Sequence, residues 1–131
     1  MSTLNPYQQY QEQSIKTASP GELTLMLYNG CIKFINQAKQ FIEQKDIEKA
    51  NNAIIRAQDI IQELLVTLNM DYEISKNLAA LYDFMYRRLI DANISKDVEA
   101  LDEVLDLVTE LRDTWKEVIK KTRQQVYGNR R

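Results

Sequence analysis

Residues 47–68, IEKANNAIIRAQDIIQELLVTL, decide the fold. Ile47, Ala50, Ile54, Ala57, Ile61, Leu64 and Leu68 recur at intervals of three and four. That is the period of one face of an α-helix, whereas a strand would alternate every second residue. No Gly or Pro interrupts the stretch, and most of its other positions carry Gln, Glu, Lys, Arg or Asn. A helix with a single apolar face cannot keep that face in water, so it needs partners.

Working outward, the partners appear on both sides. Upstream, Ser19-Pro20-Gly21-Glu22 is an explicit helix start. Ser19 can cap, Pro20 sits at the first helical position, and Glu22 falls three residues after the cap. The pattern predicts a helix from Pro20 to Gln44, with Leu23, Leu27, Gly30, Phe34, Ala38 and Phe41 on one stripe. Leu25, Tyr28, Ile32, Ile35 and Ile42 carry apolar character onto a second side, so this helix should touch more than one neighbour. Lys45-Asp46 breaks the chain before Ile47. Downstream, Asn69-Met70-Asp71 is a turn, and a third helix is predicted over Tyr72–Asn93. Asn93, Ser95 and Lys96-Asp97 mark another turn before a fourth helix over Asp97–Thr122. Short connections force consecutive helices antiparallel. The expected fold is all-α: an antiparallel up-down-up-down four-helix bundle over residues 19–122. A flexible N-terminal arm, 1–18, and a basic, disordered tail, 123–131, flank it.

Composition excludes much chemistry. The 131 residues contain no His and one Cys. Without His there are no Glu-x-x-His pairs for a di-iron bundle, no phosphotransfer histidine, and no Ser–His or Cys–His nucleophile. One Cys rules out an internal disulfide and thiolate metal sites, and Cys31 reads as a small buried hydrophobe. No glycine-rich loop is present to cradle phosphate. The expectation is therefore a protein that is not an enzyme and uses no cofactor or metal. A net charge of −2 argues against nucleic-acid binding. The polar N-terminus predicts no secretory signal, and no apolar run is long enough for membrane insertion. A cytoplasmic location fits. Asp102, Asp106 and Glu110 share a face of the fourth helix, which reads as solvated bundle exterior.

A bundle without chemistry works through its surface. The densest aromatic segment is Leu81-Tyr82-Asp83-Phe84-Met85-Tyr86-Arg87-Arg88-Leu89. Tyr82, Phe84 and Tyr86 spread around the helix by 100° per residue, so at least one should be only partly buried. Burial of the ring with a wet hydroxyl and contact with a partner are equally good readings of it. Tyr7 and Tyr10 lie in an arm with no core of its own. They either dock on the bundle or contact a partner.

Three stretches carry a resemblance to a known family. They are Asn5-Pro6-Tyr7-Gln8-Gln9-Tyr10, then Thr17 to Leu23 continuing through Met26-Leu27-Tyr28-Asn29-Gly30, and the Leu81–Leu89 segment continuing to Ala92-Asn93. Asp113-Thr114-Trp115-Lys116 adds a fourth in the last helix. Over about Asn5–Lys121 the chain resembles the FliS family of flagellin-specific export chaperones. The resemblance implies binding of the C-terminal segment of flagellin in apolar grooves, which would prevent premature polymerisation and support flagellar type III secretion. It also implies that the N-terminal arm can cover part of the groove, a role matched by Tyr7 and Tyr10. Mapping the groove onto Tyr82, Met85 and Tyr86 is an inference from the residues. Contacts with the export apparatus or other flagellar regulatory proteins, and a homodimer, stay open as further partners. The competing reading is a homodimeric helical adaptor without a client. A carboxylate-metal enzyme is a distant third.

Overall fold

Four helices account for the chain in the computed structural model, which describes residues 19–128. They are α1 (Pro20–Glu43), α2 (Ile47–Val66), α3 (Glu73–Ser95) and α4 (Val98–Gly128). Three of the four starts are capped by a side chain. Ser19 Oγ accepts the Glu22 amide at 3.2 Å, with Pro20 in the first turn. Asp46 Oδ1 accepts the Lys49 amide at 3.2 Å, and Asp97 Oδ1 accepts that of Glu99 at 3.0 Å. Each cap satisfies donors that the first turn leaves unpaired. The α3 start differs: Tyr72 supplies no side-chain cap. There Ser75 Oγ instead donates to Asn69 O at 2.6 Å, which holds the α2–α3 turn against the helix.

The helices form a closed ring in which α1 packs on α2 and α4, and α3 packs on α2 and α4. This is the antiparallel bundle expected from the spacing. The core is a line of fully buried side chains from all four, including Ile35, Ile54, Ile61, Met85, Leu89, Leu101 and Val108. In α1 the most buried line is Tyr28, Cys31, Ile35 and Ala38. It bisects the two stripes read from the sequence, because α1 faces two neighbours and the shared centre lies between them.

Boundaries moved in two informative places. α3 runs past Asn93 to Ser95. Asn93 reads as a turn former, yet its Nδ2 donates to Asn51 Oδ1 on α2 at 2.8 Å, and Lys96 Nζ donates to Asn93 Oδ1 at 2.8 Å. A side chain engaged in this way no longer competes with the helical backbone. α4 runs to Gly128, six residues beyond the Thr122 expected. Arg123, Gln124 and Gln125 are good helix formers, and the first strong breaker is Gly128 itself. Arg123 also pairs with Glu22 on α1.

Candidate functional site

Side-chain size is graded along the bundle. Of the six buried alanines among the described residues, Ala38, Ala50, Ala53, Ala92 and Ala100 lie toward the end that carries the α1–α2 and α3–α4 turns, and Ala57 lies at the middle of α2. Small side chains let helix axes approach most closely. Toward the other end the facing positions are large: Tyr28, Leu64, Tyr82 and Trp115. There the same four apolar stripes border a groove of about 680 Å³. Leu68 comes from the turn just past α2, Leu78 from the first half of α3, and Leu111 and Trp115 from the middle of α4. Among the described residues, Glu110 is its one charged lining residue. Apolar concavities of this size are the usual form of a ligand site.

Two hydrogen bonds frame the groove. Trp115 Nε1 donates to Gly21 O at 2.7 Å, tying α4 to the first turn of α1. In the floor, the hydroxyls of Tyr28 and Tyr82 lie 2.5 Å apart. Burial raises both phenol pKa values above the ordinary 10.0, so both stay protonated at neutral pH. Tyr72 and Ile74, which line the groove, and Val66 and Met70, close to them in the chain, are large apolar side chains left exposed within one short stretch about the α2–α3 turn. Apolar exposure concentrated in this way marks an interaction surface better than scattered single residues do.

The residues singled out from sequence divide among several places. Tyr82 lines the groove floor. Met85 is fully buried in the core, and Tyr86 is half-buried against it; neither lines the groove. Phe84 is the aromatic of that segment turned most to solvent, at 40% exposure. Tyr7 and Tyr10 lie outside the described residues. The sequence reading missed Tyr28, Leu64, Leu68, Leu78 and Leu111 as lining residues. Periodicity gives the buried face of a helix but not which end of that face stays open. The uneven placement of alanine is the signal that could have found it.

Other chemistry is thin. Among the described residues, no group of three or more His, Cys, Asp or Glu side chains could hold a metal ion. No helix there is long and apolar enough to cross a membrane. Cys31 is fully buried, and burial pushes its thiol up to about 12, far from a reactive thiolate. On the outer face of α4, Asp102 pairs with Lys39 at 2.5 Å and Glu103 with Arg88 at 2.9 Å.

Residues 3–122 match the family model described as Flagellar protein FliS. The chain is 53% identical over 129 residues to Flagellar secretion chaperone FliS of Bacillus subtilis (strain 168), covering 98% of this chain and 97% of that protein. It is 35% identical over 113 residues to the protein of the same name from Salmonella typhimurium, covering 84% of each. A crystal structure of a flagellar chaperone from bacteria superposes with a TM-score of 0.74 at 18% identity, covering 88% of this chain and 99% of that one, which establishes the shared fold. By the length and specificity of these matches, the chain belongs to the FliS family of flagellar proteins.

Proposed function

We propose that this protein is a cytoplasmic export chaperone that holds the C-terminal segment of flagellin, blocks its premature polymerisation and keeps it ready for flagellar type III secretion. The observation that carries the reading is the apolar groove, with Tyr72 and Ile74 exposed on its lining. Amphipathic helices bind by laying apolar faces into such grooves. A client segment that is unstructured alone would fold as it binds, its ordering entropy offset by apolar burial. The names of the relatives agree with a client in flagellar secretion. No step of holding and release calls for catalysis.

The arm fits the same scheme. Residue 18 joins α1 at the groove end, because α1 begins there. Eighteen residues span at most about 60 Å, ample to reach every wall of the groove. Tyr7 and Tyr10 would cover it until a client displaced them.

The test is calorimetric titration with roughly the last forty residues of the cognate flagellin, enough for two or three helices of average length. Saturable one-to-one binding with a negative heat-capacity change is expected. A client-free homodimer that ignores the peptide would favour the adaptor reading instead. Tyr10→Ala should weaken client binding or retention with little loss of global stability, and an unchanged affinity beside a large fall in melting temperature would overturn that assignment.

A further inference from the structure

The floor of the groove holds an arrangement that apolar docking alone does not need. Tyr28 and Tyr82 come from different helices, 54 residues apart, and bring their hydroxyls to 2.5 Å. Both residues are almost wholly buried, at 3% and 2% exposure, and both line the groove. Two neutral hydroxyls carry two hydrogens, and both are neutral here because burial disfavours the phenolate. Their mutual bond uses one hydrogen. Among the described residues, the bond between the two hydroxyls is the one seen for either of them. The second O–H hydrogen can therefore be donated to an acceptor in whatever fills the groove.

We infer that the Tyr28–Tyr82 pair is a polar anchor for the client, selecting an amphipathic helix that carries one uncharged acceptor side chain within its apolar face. The inference rests on the client-holding role proposed above. Asn, Gln, Ser and Thr satisfy the requirement. Asp and Glu do not, since a carboxylate would have to be buried among Leu64, Leu78 and Leu111 with a single hydrogen bond to offset its desolvation. Before the last turn of a client helix, its backbone carbonyls are already engaged by their own helix, so there the acceptor is a side chain. The anchor would fix the register of a helix that leucine contacts alone leave free to slide.

Either tyrosine can supply the hydrogen once the other is gone, which makes the test distinctive. The full chain is titrated calorimetrically with the flagellin C-terminal segment as wild type, as Tyr28→Phe, as Tyr82→Phe, and as the double variant. In parallel, each Asn, Gln, Ser and Thr of the segment is replaced singly by Ala. Each single Phe variant should lose less than about threefold in affinity. The double variant should lose about tenfold, the loss expected for one hydrogen bond in a dry site. One peptide position should cost about tenfold against the wild type and nothing against the double variant. The melting temperature of the double variant should hold or rise, because two hydroxyls bonded to each other are replaced together by apolar groups of the same shape. A folded double variant that binds as tightly as wild type overturns the anchor and leaves the chaperone reading intact. The peptide scan against wild-type protein decides the matter even if the double variant does not fold: no polar position costing more than threefold overturns the anchor. A wild type that fails to bind the segment at all overturns both.

Discussion

Lys45 and Lys96 hold positive φ angles of 61° and 53°, the two non-glycine residues to do so among those described. Each sits just past a helix. At the end of α1, the Lys45 amide donates to Ile42 O at 3.0 Å and the Asp46 amide to Phe41 O at 2.8 Å. That pair of bonds closes the helix and demands a left-handed residue, a place where Gly is usual. A Cβ there costs on the order of 1 kcal/mol. Lys45→Gly should relieve that strain, against roughly 0.5 kcal/mol of added freedom in the unfolded chain. A net gain of about half a kcal/mol is expected, read as a higher urea midpoint at unchanged slope. Lys96→Gly should gain nothing or lose stability. Lys96 Nζ donates to Asn93 O at 2.6 Å and Oδ1 at 2.8 Å, and both bonds would vanish. Neither strained position was legible beforehand. Lysine is an ordinary helix former, and only the closing bonds of the turn reveal the backbone it must adopt.

Element by element, the sequence yielded the helices and their order because each apolar stripe repeats over five or six turns. The bundle followed from short connections. The groove did not follow, because it depends on how far apart four helices stand at one end, and spacing is set by side chains meeting across elements. Tyr28 illustrates this. It belongs to the second apolar side of α1, and nothing local says that its hydroxyl finds Tyr82. Trp115 was easier, since an indole packed on a bundle needs an acceptor for its N–H, and Gly21 O provides one. Trp115→Phe keeps most of the ring contact and removes that donor. The expected loss is about 1 kcal/mol in global stability. Amide exchange in the first turns of α1 should quicken more than in α2 or α3, because the lost bond is what ties that end to α4. Uniform quickening across all helices would mean the bond is worth no more than its share of the core. The neighbouring Arg123–Glu22 pair is exposed, so Arg123→Ala should shift stability little.

For the molecule as a whole, the buried acids among the described residues are a thiol and two phenols. Burial lifts Cys31 from 9.0 to about 12, and lifts Tyr28 and Tyr82 above 10.0. A raised value means that the fold keeps a proton the unfolded chain has already released. Stability from these groups is therefore full below pH 9 and is lost as pH climbs through about 12. With no His in the chain, no imidazole titrates across pH 5–8. The melting temperature should fall steadily above pH 9, and Cys31→Ala should make that fall shallower even though it lowers the plateau. Equal slopes for the two proteins would remove the thiol from the account. The ring of helices has one more consequence. α1 begins and α4 ends on the groove side, while two of the three turns lie at the opposite end. A segment that leads into α1 or leaves α4 is thus tethered at the groove end without crossing the bundle. A short flexible linker would turn capture into an intramolecular event at millimolar effective concentration, so that even a weakly bound segment would sit in place nearly all the time.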